Sequence, residues 1–306
     1  MKAVVYTKYG SPYVLNPTEI EKPVPKDNEM LIKIHAATVT SGDARLRASD
    51  FPPLFWLPAR LIFGLFAPKK QILGHEWSGV VEDKGKNITK FNLGDEVFGT
   101  TTMLKTGSYA EYICVPQAWK HGVIALKPTN LTYKESAALP IGGMTALFLL
   151  EKARIAKSQK VLVFGASGSV GTYAVQIAKH FGAAVTGVCS TSNLAMVVSL
   201  GAKKVIDYTK VDYTLSESDF DIVFDAVGKT SRSKTKNAMK KNGVFVSVEM
   251  LTKETTEHLL KLKELAEQGA IVPFIDKCYP LEKIVDAHLY VDQGHKRGNV
   301  VIDIKE

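Results

Sequence analysis

Gly165-Ala166-Ser167-Gly168-Ser169-Val170-Gly171 is the stretch on which the fold of this chain turns. Before it, Lys160 to Phe164 forms an apolar run of the kind that suits a strand buried on both faces. After it, Val170, Ala174, Ile177, Ala178 and Phe181 recur at helical spacing. A glycine-rich turn between a buried strand and an amphipathic helix is the context of a dinucleotide site. The glycines stand three apart instead of following G-x-G-x-x-G, but each can still do its work. Gly165 turns the chain, Gly168 lets backbone approach a pyrophosphate, and Gly171 lets helix pack on strand. The N–H groups of Ser167, Ser169 and Val170 lie at the start of a helix whose dipole favours phosphate.

Downstream, strand and helix signals alternate. Ala184 to Val188, Val205-Ile206, Asp221 to Ala226 and Val244 to Val248 read as strands. Leu194 to Leu200, Ser231 to Lys240 and Thr255 to Gln268 read as helices, as does Lys134 to Leu150 upstream of the loop. Such alternation predicts a doubly wound α/β domain with a parallel sheet. The first ~120 residues have a different texture, with short β-branched runs at Met1–Tyr6, Met30–Val39, Gly79–Glu82, Glu96–Gly99 and Tyr109–Val115. The last run, Asn299 to Ile304, breaks the alternation, so the chain is expected to return to its β-rich first domain. The expected division is 1–120, completed by 270–306, and 121–269.

The second strand bears on the choice of dinucleotide. It ends Val188-Cys189-Ser190-Thr191-Ser192-Asn193, with no acid to bond a ribose 2′-hydroxyl and repel a 2′-phosphate. Ser190 and Thr191 can donate to a phosphate, so NADP(H) is expected. No Arg or Lys stands in this loop, and the same residues could simply cap the next helix.

Bulk properties exclude several classes. Hydrophobic content of 45% and charged content of 23% are those of a folded globular protein. The net charge of +8 is spread along the chain, unlike a basic face interleaved with aromatics, so no nucleic-acid partner is expected. Three dispersed cysteines, Cys114, Cys189 and Cys278, suit a reducing compartment and no disulfide framework. No signal-peptide pattern begins the sequence, and a cytoplasmic location is expected. The apolar stretch Phe51 to Ala67 is interrupted by Pro52, Pro53, Pro58, Arg60 and Gly64, too short and broken to insert stably in a bilayer. It is expected to form a helix or lid whose Trp56 and Phe63 line a substrate pocket. A subunit contact or a membrane-surface contact would explain the same composition.

Several separate motifs carry a family resemblance. They are Ala3-Val4-Val5-Tyr6, Gly74-His75-Glu76-Trp77-Ser78-Gly79-Val80-Val81, Phe91 to Gly99, Ala138 to Ala146, the glycine loop, Val223 to Gly228 and Gly294 to Val301. In that order they resemble the medium-chain dehydrogenase/reductase superfamily, and within it the zeta-crystallin-like branch of quinone oxidoreductases and alkenal/one reductases. The resemblance implies a GroES-like β-rich catalytic domain made from both chain ends, a Rossmann domain between them, NADP(H) as cofactor, and a homodimer. It also assigns residues. Thr40 stands beside the nicotinamide where quinone reductases often carry asparagine, and Asp43 matches an acidic position of the same motif, or pairs with Arg45 or Arg47 to fix the loop. Thr145 and Val227 belong to motifs that meet the cofactor. Tyr208 matches a tyrosine that reaches the adenosine phosphate. Arg297, Gly298 and Asn299 close over the cofactor or form a plain strand-entry turn.

Zinc alcohol dehydrogenases share the superfamily. A catalytic zinc there takes thiolate and imidazole ligands with one open position. His75 matches their histidine ligand, but their first cysteine falls near Thr40, and Ile141 to Gly143 offers no further Cys or Asp. No metal is therefore expected, and His75 reads as a structural residue. Without a Lewis acid, hydride transfer suits a small, hydrophobic acceptor that is already electrophilic, a quinone or an α,β-unsaturated carbonyl. An NADPH-binding sensor, structural or RNA-associated protein without catalysis is the alternative, and a zinc alcohol dehydrogenase a lesser one.

Overall fold

A computed structural model describes residues 1–216 and 218–304. The chain forms two compact units, Met1–Pro140 with Ile275–Glu306, and Ile141–Phe274.

The first unit is built on a seven-stranded sheet, with a separate two-stranded sheet pairing Lys2–Val5 and Asn16–Glu19. Its long central strand, Glu29–Thr38, pairs antiparallel with Glu76–Lys84 along one edge and with Tyr112–Pro116 and Asn299–Asp303 along the other. The register Val301↔Thr38, Ile302↔Ala37, Asp303↔Ala36 seats the last strand in this sheet. The return of the chain anticipated from the broken alternation thus has its reason in burial: Val300, Val301 and Ile302 are all fully covered there. Strand Ile275–Pro280 adds to its outer side in parallel.

Composition changes near Tyr133, yet the helix Tyr133–Ala138 stays with the first unit. Thr132 closes a capping box with Glu135 at its start. Ala137 and Ala138 then pack against Ala36 and Val301. The single helix expected over Lys134–Leu150 is accordingly two, Tyr133–Ala138 and Pro140–Lys152, because Pro140 cannot supply the N–H that would continue the first.

The second unit carries a five-stranded sheet, parallel throughout, in the order Lys204–Asp207, Ala184–Cys189, Lys160–Phe164, Phe220–Asp225, Met239–Ser247. This is the strand order of a doubly wound nucleotide-binding sheet, with the first strand at the centre. Helices Ser169–His180, Leu194–Ser199 and Thr256–Glu267 fall where spacing predicts them. The helix expected over Ser231–Lys240 is absent. That segment runs through turns into the strand Met239–Ser247. Its Ser and Thr side chains bond nearby backbone, Lys234 N to Ser231 Oγ and Thr235 Oγ1 to Ser231 O, competing with a helical ladder.

Candidate functional site

The glycine loop connects the central strand Lys160–Phe164 to the helix Ser169–His180. Gly165 has φ +76°, and a Cβ there would lie 2.6 Å from Val227 Cγ1. A Cβ on Gly171 would lie 2.1 Å from the Gly165 carbonyl oxygen. Both glycines are demanded by the protein itself. Gly168 differs: its φ of −80° suits any residue, and a Cβ would meet only the Gly165 oxygen at 3.6 Å. The space beside it is open, as a pyrophosphate cradle requires. Gly168 caps the helix with no side chain, so the N–H groups of Val170 and Gly171 face outward from the first turn. Thr145 lies one turn beyond Gly142, whose Cα faces Ser169 and Tyr173 of the same helix.

Asn193 joins this loop to the end of the second strand. Its Nδ2 donates to Ser167 Oγ at 3.2 Å and to Ser190 Oγ at 3.1 Å. Its Oδ1 is buried without a hydrogen-bond partner, a polar atom waiting for a donor. Thr191 behaves otherwise than its sequence position suggests. Its hydroxyl donates to Asp207 at the end of the third strand, and Asp207 also accepts from Thr209 Oγ1 at 2.6 Å. These hydroxyls hold the Asp207 carboxyl below its ordinary value. The acid missing from the second strand therefore arrives from the third, screened by Thr191.

Beside it lies an open pocket of about 430 Å³ lined by Phe164, Tyr208, Thr209, Lys210, Val211, Asp212 and Tyr213. Phe164 and Tyr213 rings lie 4.7 Å apart and Phe164 and Tyr208 rings 6.4 Å, giving an aromatic wall suited to a flat base. Lys210 brings a cation to this pocket, its Nζ 3.9 Å from Asp207 Oδ2. Sequence reading missed it because it enters two residues after Tyr208, from the turn that follows the third strand.

In the first unit, Thr40 and Asp43 close the capping box of the helix Ser41–Ala48. Asp43 Oδ2 accepts from Thr40 N at 2.9 Å and Thr40 Oγ1 at 2.5 Å. Its Oδ1 accepts from Gly74 N at 3.0 Å and lies 2.6 Å from His75 Nδ1. Burial opposes ionisation of Asp43, but the charge and hydrogen bond of His75, with the Thr40 donors, outweigh it and hold the carboxyl well below its ordinary value. Asp43 is thus bonded to Thr40, Gly74 and His75, where sequence suggested Arg45 or Arg47. Arg47 instead donates to Gly10 O, His288 Nδ1 and Asp292. His75 is half-buried, and its Nδ1 is the ring nitrogen turned to Asp43.

The same geometry tests a catalytic zinc. Among the described residues no group of three or more His, Cys, Asp and Glu could hold a metal ion. The Thr40 hydroxyl is committed to Asp43, and one imidazole is no zinc site. The residues present do not fit the metal.

Other expected site residues also lie in the first unit. Arg297 donates from N and Nε to Asp276 at 2.9 and 3.0 Å, Gly298 has φ +56°, and Asn299 is buried at the start of its strand. The three lead into the strand Asn299–Asp303. Neighbouring Lys296 donates to Gly298 O at 2.7 Å, and burial lowers its ammonium to about 8 against the pull of Glu76 and Asp276. Phe63 stacks on Phe51 and packs against the core around Val4 and Val300, whereas Trp56 points outward under Arg60.

Comparison with known families matches residues 26–127 to the alcohol dehydrogenase GroES-like domain and residues 169–284 to the zinc-binding dehydrogenase family. A 2-methylene-furan-3-one reductase of Solanum lycopersicum is 35% identical over 325 residues, covering 99% of this chain and 79% of that protein. The human quinone oxidoreductase is 30% identical over 329 residues, 96% of this chain and 94% of its own. Among solved structures, the quinone oxidoreductase from Coxiella burnetii superposes with a TM-score of 0.88 at 29% identity, covering 100% of this chain and 99% of that one. Motif order, sheet topology and these relatives agree: the chain belongs to the medium-chain dehydrogenase/reductase superfamily, with the quinone oxidoreductases and alkenal/one reductases.

Proposed function

We propose that this protein is an NADPH-dependent reductase of quinones or α,β-unsaturated carbonyls that works without a metal ion. The observation that carries the reading is the glycine loop, whose two outer glycines are required by packing while Gly168 leaves its space to a ligand. The bound nicotinamide would supply the hydride. Val170 and Gly171 N–H would hold the pyrophosphate, and the aromatic wall of Phe164, Tyr208 and Tyr213 the adenine. Ser190 and Lys210 would meet the 2′-phosphate, Lys210 giving up its ion pair with Asp207 while Thr191 caps that carboxylate. Relatives named as an NADPH-dependent alkenal/one oxidoreductase and as quinone oxidoreductases support this substrate class.

Asp43 is fully buried and so is a positioning residue in this scheme. It fixes Thr40 and holds His75 by Nδ1, which leaves Nε2 to deliver the proton that follows hydride addition to a conjugated carbon. The mismatch between the residues at Thr40 and His75 and a zinc ligand set supports a metal-free route.

The test is a panel of quinones, enals and enones run with NADPH and NADH, beside metal analysis of the purified protein. NADPH oxidation by at least one class, in protein lacking stoichiometric metal, is the expected outcome. Tight NADPH binding with no turnover on any acceptor would instead leave a non-catalytic binding protein. Lys210→Glu tests the cofactor preference separately. Losing a charge-assisted contact and gaining a repulsion is expected to weaken NADPH about tenfold or more and NADH far less. Equal losses for both dinucleotides would remove Lys210 from the phosphate site.

A further inference from the structure

The helix Pro53–Phe63 is amphipathic in reverse. None of its residues is buried. Leu54, Leu57, Leu61 and Ile62 recur at helical spacing on the face most open to solvent, with Leu54 82% exposed, and Phe66 just beyond it is 90% exposed. Phe63, on the opposite side, is the residue that packs into the core. A continuous apolar face of this kind has to be covered by something.

Charge indicates what covers it. No acidic residue occurs from Phe51 to His75. Arg60 lies 4.0 Å over the Tyr9 ring and donates from Nε to Leu65 O at 2.9 Å, and Lys69 Nζ donates to the Leu61 and Ile62 carbonyls at 2.9 and 3.1 Å. These partners are neutral. No carboxylate among these partners offsets the two cations at the rim of the apolar face, where long side chains reach the headgroup level of a membrane. Apolar side chains below and cations at the rim match the acyl boundary and headgroups of an anionic bilayer. A second copy of the same face would bring further cations and no carboxylate to meet them. Among the described residues no helix is long and apolar enough to cross a membrane, so the contact is one of lying on the surface.

We infer that the helix Pro53–Phe63, with Phe66, Arg60 and Lys69, docks this protein on anionic phospholipid surfaces. This stands apart from the proposed reductase activity.

The test is co-sedimentation of the full chain with phosphatidylcholine vesicles with and without phosphatidylglycerol, read also by Trp56 emission. Binding and a blue shift are expected with phosphatidylglycerol, weakening as salt rises. Leu54→Asp with Leu61→Asp is expected to lower partitioning about tenfold or more, with thermal stability and circular dichroism unchanged because both side chains are exposed. Lys69→Gln keeps the donor to the helix carbonyls and removes the charge, and is expected to weaken binding about fivefold. No binding to phosphatidylglycerol vesicles, or equal binding to phosphatidylcholine alone, overturns the inference. So does a wild-type dimer that the Leu54 and Leu61 substitutions split while vesicle binding is absent, since the face would then belong to a second copy.

Discussion

Gly171→Ala is expected to abolish dinucleotide binding and to destabilise the second unit by about 3 kcal/mol, at the upper end of the usual cost of overpacking. The added methyl would sit 2.1 Å from the Gly165 carbonyl oxygen and 2.9 Å from Ala166 Cα. Those are backbone atoms of the loop itself, so no side chain can swing aside. The helix Ser169–His180 must lift from the central strand, and the N–H groups of its first turn move with it. Gly168→Ala supplies the contrast. Its Cβ has ordinary clearance, so folding is expected to cost at most about 1 kcal/mol, the difference between glycine and alanine as a cap. NADPH affinity is nevertheless expected to fall tenfold or more, because the methyl occupies the approach to the pyrophosphate (on the order of 1.4 kcal/mol per tenfold). Fluorescence titration of NADPH beside thermal melts separates the two effects. If Gly168→Ala binds NADPH like the parent protein, the pyrophosphate does not lie against Gly168.

The contrast also shows which parts of this protein can be read from its sequence. The need for glycine at 165, 168 and 171 is local: strand, turn and helix lie within a dozen residues of one another, and close packing between them leaves a motif. The return of Asn299–Asp303 to the first sheet was legible for a related reason, since a β-branched run with no helix to pair it had to find another sheet. Lys210 was not legible. It reaches the pocket from the turn after the third strand, and nothing near Ser190–Asn193 points to it. The turns over Ser231–Ala238 were misread because the segment's place between two strands suggested a helix while Ser231 and Thr235 offered the backbone other partners. The orientation of the Pro53–Phe63 helix was equally out of reach. Composition showed an apolar segment, and only tertiary packing showed that its inward side is Phe63 and its outward side leucine.

Asp43 combines a local signal with a long-range one, and its substitution carries the second large expected effect. Thr40-x-x-Asp43 is a capping box that the sequence spells out, but Gly74 and His75 come from another segment. In Asp43→Asn one carboxylate oxygen becomes an NH₂ that cannot accept from the Gly74 N–H or the Thr40 N–H, at a fully buried position. Breaking such a buried charged arrangement is expected to cost about 3 to 5 kcal/mol. Turnover is expected to fall roughly tenfold to a hundredfold as His75 loses its orientation. The pH dependence follows from the direction of the shift. Because the folded carboxyl titrates below its unfolded value of 3.8, its stabilisation is full above that value and is lost as pH falls further.

His288 acts in a higher window. Its Nδ1 accepts from Arg47, and burial lowers it from 6.5 to about 3. Between those values the unfolded chain holds the extra proton, so stability falls with pH by up to about 1.4 kcal/mol per unit. His288→Asn keeps an acceptor for Arg47 and removes the titration. Urea denaturation from pH 7 to 4 is therefore expected to show a shallower slope in His288→Asn, whereas Asp43→Asn lowers stability across the whole range and keeps the parent slope. A parent slope in His288→Asn would mean that His288 is not held neutral by the fold. A parent stability at pH 7 in Asp43→Asn would mean that Thr40, Gly74 and His75 do not depend on the carboxylate they surround.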